Sequence, residues 1–530
     1  MTLTDQDLLV ILGLLVAFTA LLAAAPRLHV PYPILLVVGG LLIGLVPGVP
    51  TIQVPPEFVL FGVLPPLLYS AAFFTSLRDL RAYRRAIGLL SIGLVVGTTI
   101  GVAVVAHELV NGLPWASAFV LGAIVSPTDP IAATSVARRL GIPRRIVAIA
   151  EGESLVNDGS ALVIYKFAVA AVVTGSVSAM AASLSFVWTV VGGVGIGLAV
   201  GWVIRQVRRR LDNPPVEITI ALMTGYFAFI PATLAGASGV LAVVAAGVYV
   251  GWHTPELTTV ETRLQGDAFW EILTFLLNGL LFVLVGLSLP AVLDALGGRL
   301  TTALLWEAVA VFLAVVVLRY LWLFPATYVV RWAFPRIRER DPYPPWQHTT
   351  LLGWMGMRGA VSLAAALALP LHIDGGGPFP GRNSVIFLTF AVILGTLVVQ
   401  GLTLPAMVRL LGLEDDGAAE REEVKARIHA ANAALARIDE LIEEEWVRNE
   451  TAERLRGLYR FRRDRFAERY TGDGDGAKEE QSAAYQQLLH VLLEAERQAV
   501  YGLRRDGVIG DDAMRTVSRE LDLEEARLDL

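Results

Sequence analysis

The sequence lacks cysteine altogether, and it is poor in charged residues and in histidine. Without cysteine the chain can form no disulfide, no thiolate nucleophile and no thiolate-bound metal site. Its seven histidines are scattered without ligand spacing, so we expect no zinc site. Only 17% of the 530 residues are charged, against about 25% in soluble proteins, while 55% are hydrophobic. The net charge of −6 is mild and suggests no nucleic-acid partner.

Apolar segments long enough to cross a bilayer, about 20 residues each, recur as far as Gly412. The fold class that this pattern predicts is an all-α polytopic membrane protein. The first segment, LLVILGLLVAFTALLAAA, has no basic region before it, so we interpret it as a membrane span and not as a cleaved signal. We count about thirteen spans, with centres near Leu15, Val38, Pro65, Val96, Ile124, Val163, Val191, Met223, Val243, Phe282, Val315, Ala360 and Ile393.

Arginines indicate how the spans are oriented. They cluster in the loops that follow odd-numbered spans, whereas the loops that follow even-numbered spans carry almost none. Positive residues favour the cytoplasmic side of a membrane. We therefore expect the N-terminus outside the cell, the C-terminus in the cytoplasm and an odd number of spans. The arginines that follow odd-numbered spans are Arg27, Arg78, Arg81, Arg84, Arg85, Arg138, Arg139, Arg144, Arg145, Arg205, Arg208, Arg209, Arg210, Arg336, Arg338 and Arg340.

The composition changes sharply near Gly412, so we divide the chain into a membrane domain, residues 1–411, and a tail, residues 412–530. The tail begins with REEVKARIHAANAALARIDELIEEEW, which has helical periodicity and many charges. TGDGDGAKEE predicts a flexible break, and the final segment predicts two helices around Gly507, the second capped by Asp511 or Asp512. We expect a small helical cytoplasmic domain that aids assembly or, alternatively, regulates the membrane domain.

The fifth span is interrupted by SPTDP, residues 126–130. Pro127 and Pro130 each lack a backbone donor and clash with the preceding turn, so we expect the helix to break there. The break would leave free carbonyl groups near Thr128 and an acid, Asp129, at membrane depth. Half-helix ends and unwound carbonyls of this kind form ion sites in many transporters. The plainer alternative is an ordinary proline kink.

The sixth span contains EGESLVNDGS, which places several acidic residues inside the membrane. A charged side chain at the bilayer centre costs about 2.5–3.5 kcal/mol on insertion scales. Asp158 lies about 20 Å along this helix from its predicted cytoplasmic end, close to the middle of the bilayer. Residues four apart share a helix face, so Ser154 and Asp158 share one face, whereas Glu153 and Asn157 share a neighbouring one. One face can therefore bind an ion while the other holds a structural pair.

Two arginines also lie in apolar spans. A buried guanidinium needs a carboxylate partner, and we predict that Arg358 pairs with Glu153. For Arg319 two alternatives stay open, a pair within the bundle or a side chain that extends to the cytoplasmic surface. Glycines on both sides of Arg358 permit a second helix break. The two breaks would occupy corresponding places if spans one to six and eight to thirteen were repeats.

At these residues the chain resembles the monovalent cation/proton antiporters, in the electroneutral branch of NhaP-type and NHE-type sodium/proton exchangers. The segments that match are LPPLLYSAAF (64–73), SPTDPIAATSV (126–136), EGESLVNDGSALVIY (151–165), SGVLAVVAAG (238–247), FLLNGLLFVLVGLSLP (275–290), GMRGAVSLA (356–364) and FLTFAVILGTLVVQGLTLP (387–405). The resemblance implies two inverted repeats with broken helices that cross, a homodimer in the cell membrane, and elevator-like alternating access.

The resemblance also implies the site residues. It assigns a structural ion pair between Glu153 and Arg358. Some relatives supply an acid in the third span, where this chain offers only Tyr69 and Ser70. The cation would be held where the fifth and twelfth spans cross, by Asp158, Asp129, Asn157, Ser154 and Thr128.

The function expected from these residues is exchange of Na⁺, or of Li⁺ or K⁺, for H⁺ in a one-to-one ratio, with Asp158 holding either ion in turn. A carboxylate beside neutral oxygen ligands suits a hard cation. The partners are then the transported ions, the lipid bilayer and a second copy of the chain, with no cofactor, and the role is pH and sodium homeostasis. Alternatives are a K⁺/H⁺ antiporter, a cation channel, and an intramembrane aspartyl protease built on Asp129 and Asp158. No Gly-x-Gly-Asp stretch supports the protease, and we expect no enzyme.

Overall fold

The computed structural model describes residues 5–28, 31–46, 55, 57–175, 179–296, 301–415, 417–471 and 477–526. Within these ranges the chain is built of helices, and the only β pairing is an isolated bridge between His372 and Pro378. The chain divides into two compact units, Met1–Asp415 and Asp416–Leu530. Of the segment predicted to be a flexible break, residues 472–476 lie outside the described ranges, and a helix begins at Ala477.

The first unit is a bundle of helices, most of them apolar. In chain order they are α1 (Asp5–Leu28), α2 (Tyr32–Gly44), α3 (Phe58–Phe74), α4 (Leu77–Ala82), α5 (Arg84–Leu109), α6 (Trp115–Val125), α7 (Ile131–Arg139), α8 (Arg144–Thr174), α9 (Ala179–Arg208), α10 (Pro214–Leu234), α11 (Gly239–His253), α12 (Val260–Leu287), α13 (Leu289–Ala295), α14 (Thr302–Ala333), α15 (Pro335–Arg340), α16 (Trp346–Trp354), α17 (Ala360–Leu367) and α18 (Arg382–Leu410).

Seven helical stretches of the described chain are long and apolar enough to cross a membrane, by length and composition. They are α5, α8, the Leu184–Arg208 part of α9, α10, the Val260–Asp294 stretch of α12 and α13, α14 and α18. Shorter apolar helices accompany them, and each predicted span centre lies in a helix of this unit. The predicted fold class, an all-helical polytopic membrane protein, is confirmed. The count of about thirteen spans stays a prediction.

Local sequence signals determine where several helices begin and end. The hydroxyl of Ser238 accepts a hydrogen bond from the amide of Leu241 and thereby caps α11. Thr259 caps α12 in the same way, through the amide of Thr262. α8 ends at Thr174 and is followed by Gly175, which has a φ of +69° that a residue with a side chain rarely adopts. These caps fix the start of α11, the start of α12 and the end of α8.

Glycines allow the backbones of α2 and α12 to touch. A side chain on Gly40 would overlap the carbonyl oxygen of Val283, and one on Gly286 would overlap that of Val37. Small residues bring membrane helices close in this way, because lipid supplies no hydrophobic force to press them together. The two helices therefore pack as a tight pair.

The second unit consists of α19 (Ala418–Leu441), α20 (Asn449–Thr471), α21 (Ala477–Arg505) and α22 (Asp511–Ala526). Gly507, with a φ of +71°, separates the last two helices. Asp511 and Asp512 lie in the first turn of α22. Arg497 of α21 binds the carboxylates of Glu525 and Asp522, at 2.5 and 2.9 Å, and these hydrogen bonds raise the pKa of Arg497. Such exposed pairs orient the helices more than they stabilise them.

Candidate functional site

The two helix breaks that the sequence predicts lie against each other. Residues 126–130 connect α6 to α7, and residues 355–359 connect α16 to α17. The amide of Asp129 donates a hydrogen bond to the carbonyl of Met357, at 2.8 Å, and so joins the two connections. Irregular backbone at membrane depth is tolerated only where protein or a water-filled cavity surrounds it. Each break therefore supplies backbone partners for the other.

Asp129 is held at this crossing from two sides. One carboxylate oxygen accepts a hydrogen bond from the amide of Ile131, at 3.0 Å, and so satisfies a free donor at the start of α7. On the other side Gly359 packs directly against the carboxylate, where any side chain would overlap its second oxygen. Gly359 has extended backbone, with a φ of −127°, so it is the lack of space that calls for glycine. The position of Asp129 is consequently fixed.

The polar residues of α8 divide between two directions. Ser154 and Asp158 are 8% and 9% exposed and line a cavity, whereas Glu153 and Asn157 are 1% exposed and do not. This is the division that a spacing of four residues predicts, because residues i and i+4 lie on one face of a helix.

The partner of Glu153 is Arg319, and the predicted pairing of Glu153 with Arg358 was wrong. The guanidinium of Arg319 binds both carboxylate oxygens, at 2.5 and 2.9 Å. It also donates two hydrogen bonds, of 3.0 and 3.3 Å, to the carbonyl of Leu352. Both charged side chains are 2% exposed, so Arg319 does not extend to the surface. Helical spacing gave the face of α8 that carries Glu153, but not which arginine packs against that face.

Arg358 instead bonds to the backbone at both breaks. Its Nε donates to the carbonyl of Val125 at 3.0 Å, its guanidinium also binds the carbonyl of Gly356, and its amide donates to the hydroxyl of Thr396. Val125 is the last residue of α6, where carbonyl groups lack helical partners and the helix dipole is negative. A cation that donates hydrogen bonds suits this position, so Arg358 stabilises the crossing itself.

Thr128 connects the crossing to the ion pair. Its hydroxyl donates to Glu153 at 3.0 Å and accepts from the Nδ2 of Asn157 at 2.9 Å. The Oδ1 of Asn157 is buried and has no hydrogen-bond partner among the described residues. A continuous chain of contacts therefore runs from Asn157 through Thr128 and Glu153 to Arg319.

A cavity of about 520 Å³ lies beside the crossing, and its charged lining is entirely acidic. Three of its walls are supplied by α3, α8 and α12, and hydroxyl groups of Ser70, Thr128 and Ser154 add neutral oxygens. It extends to the exposed side chains of Asp267 and Glu271, so it is open to the surface at that end. Oxygen ligands of this kind suit hard cations. The acidic residues of the lining are Asp129, Glu151, Asp158, Asp267 and Glu271.

Sequence reasoning missed Asp267 and Glu271. They lie four residues apart near the start of α12, and a search for acidic pairs on one helix face could have found them. Of the predicted cation ligands, the structure brings Asp158, Asp129, Ser154 and Thr128 to the cavity and places Asn157 behind it. Within the described ranges, no three acidic, histidine or cysteine side chains gather as they do at a resident metal site.

Known proteins are similar to this chain both in structure and in sequence. The solved structure of the sodium proton antiporter MjNhaP1 from Methanocaldococcus jannaschii superimposes with a TM-score of 0.57 and 20% identity, covering 77% of this chain and all of that one. It shows that the fold is shared. In sequence, the chain is 36% identical to the uncharacterized Na(+)/H(+) exchanger Mb2309 of Mycobacterium bovis, over 98% of this chain and 96% of the relative.

A second relative, from Bacillus pumilus, carries the name sodium, potassium, lithium and rubidium/H(+) antiporter. It is 34% identical over 71% of this chain and 58% of its own length. The sequence model of the family described as "Sodium/hydrogen exchanger, transmembrane" matches residues 14–410, which include both breaks and every residue that lines the acidic cavity. The chain belongs to the sodium/hydrogen exchanger family of membrane transporters.

Proposed function

We propose that the chain exchanges Na⁺ for H⁺ across the cell membrane, with the two ions competing for Asp158. The observation that carries the proposal is the contrast between two buried carboxylates on α8. Glu153 is neutralised by Arg319, whereas no basic residue of the described ranges forms an ion pair with Asp158. A buried charge without a fixed partner is costly. A mobile cation or a proton can remove that cost, and only one of them fits at a time.

The proposed ligands of Na⁺ are the carboxylates of Asp158 and Asp129, the hydroxyl of Ser154, and Thr128. All four residues line the acidic cavity, and each offers oxygen. Asn157 is proposed to act through Thr128, whose hydroxyl it holds at 2.9 Å. No resident cofactor is included in this scheme. The chemistry is binding and release of a transported ion, and not bond cleavage as in an enzyme.

Competition at one carboxylate implies a one-to-one, electrically neutral exchange. Asp158 with Na⁺ and Asp158 with H⁺ carry the same charge, so the loaded site crosses the membrane at the same electrostatic cost in either direction. The arginine-rich loops support a cytoplasmic position for the open end of the cavity, near Asp267 and Glu271, by the positive-inside rule. On the same grounds the N-terminus lies outside and the tail inside. Following the resemblance, the working unit is proposed to be a homodimer that alternates access between the two sides.

The experiment that tests this function is ion-driven proton movement in proteoliposomes, read with a pH-sensitive dye. We expect Asp158→Asn to abolish the response to Na⁺, because an amide neither releases a proton nor neutralises a cation. Asp294→Asn is the matched control, since Asp294 is exposed and lies outside the cavity. Near-normal exchange by Asp158→Asn would contradict the assignment.

Two further measurements with the wild-type protein complete the test. While the site is mostly protonated, competition requires the half-saturating Na⁺ concentration to rise about tenfold for each unit that pH falls. Repeating the assay with Na⁺, Li⁺ and K⁺ compares the cations, which matters because the B. pumilus relative is named for several of them. A current without accompanying proton movement would instead indicate a channel.

A further inference from the structure

A second cavity, of about 60 Å³, lies in the membrane unit apart from the acidic one, and its charged lining is mainly basic. Arg85 of α5, Arg145 of α8 and Arg331 of α14 surround it, together with Asp341 and His348. We propose that this cavity binds an anion that carries a phosphate group, either free phosphate or the phosphate of a lipid headgroup. The inference does not depend on the transported ion.

The charges around this cavity are not balanced within it. Asp341 is the single carboxylate of the lining, and it serves all three arginines. It contacts Arg331 at 2.5 Å, Arg145 at 2.8 Å and Arg85 at 3.7 Å. Two positive charges therefore remain without a counter-ion in the lining, in a place where the Arg331 side chain is only 5% exposed. The Arg85 and Arg145 side chains are 28% and 30% exposed, so an anion can reach the cavity from solution. At this partly buried position the excess charge attracts an anion more strongly than it would on an open surface.

Unused hydrogen-bond donors point to the same ligand. The Nε and Nη1 atoms of Arg85 are buried and have no hydrogen-bond partner in the described part of the chain. A buried donor without an acceptor is costly, and a guanidinium presents its donors in a fixed planar fork that matches phosphate oxygens. Arg145 lies in the first turn of α8, whose 31 residues direct the positive end of their dipole to this point. An anion would accept from Arg85 and be stabilised by α8.

The volume agrees with a small anion. A cavity needs about 10–15 Å³ to hold one water molecule, so 60 Å³ accommodates about four waters or one group of similar size. A phosphate group, with five heavy atoms, is of that size, whereas a nucleotide is far larger. Arg85 and Arg145 follow odd-numbered predicted spans, and Arg331 lies near the end of another. The positive-inside rule therefore predicts a cytoplasmic position for the cavity. There both sources of phosphate, the solution and the headgroups, are within reach.

Occupancy of this cavity would connect helices that matter for transport. α8 carries Asp158 and Glu153, and α14 carries Arg319. An anion bound by arginines of α5, α8 and α14 would add a second ionic connection among the three helices, beside the one that Asp341 makes. We therefore expect the anion to stabilise the folded membrane unit, since a ligand that binds only the folded state raises its stability.

The test is thermal unfolding of the purified protein in dodecyl maltoside, with inorganic phosphate titrated against chloride at constant Na⁺ concentration and ionic strength. Phosphate should raise the melting temperature of the wild type above its value in chloride. Arg85→Gln should raise the half-saturating phosphate concentration tenfold or more, the loss typical of one hydrogen bond between charged groups. Arg145→Gln is the second variant, used if Arg85→Gln does not fold. Arg84→Gln, at an exposed neighbour outside the cavity, should behave as the wild type.

A second arm separates the two sources. The same variants are melted in nanodiscs of phosphatidylcholine with and without phosphatidic acid, which presents a phosphate monoester. Stabilisation by phosphatidic acid alone, lost in Arg85→Gln, assigns the site to a headgroup, and stabilisation by inorganic phosphate assigns it to a free anion. If neither stabilises the wild type, or if Arg85→Gln and Arg145→Gln respond as Arg84→Gln does, the cavity holds only water and the proposal is overturned. Intact Na⁺/H⁺ exchange in either case leaves the proposed function standing.

Discussion

Replacing Arg319 with methionine should destabilise the protein severely. The substitution leaves Glu153, which is 1% exposed, with the hydroxyl of Thr128 as its only side-chain partner among the described residues, and it also frees the carbonyl of Leu352. Removing one member of a buried ion pair costs about 3–5 kcal/mol, because the other charge stays buried and unpaired. Methionine is unbranched and apolar, so the loss reports the pairing more than the packing.

A double-mutant cycle measures how much of this loss belongs to the pair. Glu153→Gln combined with Arg319→Met removes both charges, and replacing a whole buried pair by neutral groups is often close to neutral. We therefore expect the double variant to be more stable than Arg319→Met alone, with a coupling energy of about 2–3 kcal/mol. Arg358→Met should also be destabilising, because it frees the carbonyl of Val125. Its coupling to Glu153→Gln should be smaller, since Arg358 bonds to the backbone.

The assay is unfolding by a denaturing detergent in mixed micelles, with the free energy of unfolding extrapolated linearly to zero denaturant. Six proteins suffice for the comparison: the wild type, the three single variants, and the two double variants that combine Glu153→Gln with each arginine substitution. A coupling energy between Glu153 and Arg358 larger than that between Glu153 and Arg319 would refute the assignment of the pair. So would an Arg319→Met protein as stable as the wild type.

The remaining predictions concern the crossing of the two breaks. Gly359→Ala should abolish exchange and lower the melting temperature, because the added carbon would overlap the carboxylate of Asp129, whereas Gly375→Ala, with no atom near its added carbon, should leave both unchanged. Asp129→Asn keeps an oxygen that can accept from the amide of Ile131 but removes a charge from the proposed cation site. We expect its melting temperature to stay within a few degrees of the wild type and its half-saturating Na⁺ concentration in the dye assay to rise about tenfold or more. Unchanged Na⁺ dependence would remove Asp129 from the proposed ligands.

Much of this site was readable from the sequence because its signals are local. Pro127 and Pro130 cannot continue a helix, so their positions predicted where α6 ends. The spacing within α8 predicted that Ser154 and Asp158 share a helix face that does not carry Glu153. Residues four apart lie on the same face of a helix, whereas adjacent residues do not. The family resemblance then indicated that the break in the fifth span meets a second one near Arg358.

The contacts that the sequence did not predict all depend on which helices are neighbours. Arg319 and Arg358 are both buried arginines in apolar spans, and nothing in the order of residues tells which of them faces Glu153. The acids Asp267 and Glu271 belong to the site only because α12 packs beside α3 and lines the same cavity as α8. Tertiary packing of this kind is a property of the whole bundle, which helix periodicity alone does not determine.

The crossing of the breaks also has a consequence for biosynthesis. Arg358 and the carbonyl that it binds on Val125 are 233 residues apart in the chain. When the first broken helix leaves the ribosome, the backbone groups that will later bind Met357 and Arg358 have no protein partner, and lipid offers none. These groups must stay hydrated or be sheltered by the insertion machinery until the twelfth predicted span arrives. The crossing that frames the proposed cation site is therefore completed only after Arg358 has been synthesised, although the proposed ligands themselves lie within the first 158 residues.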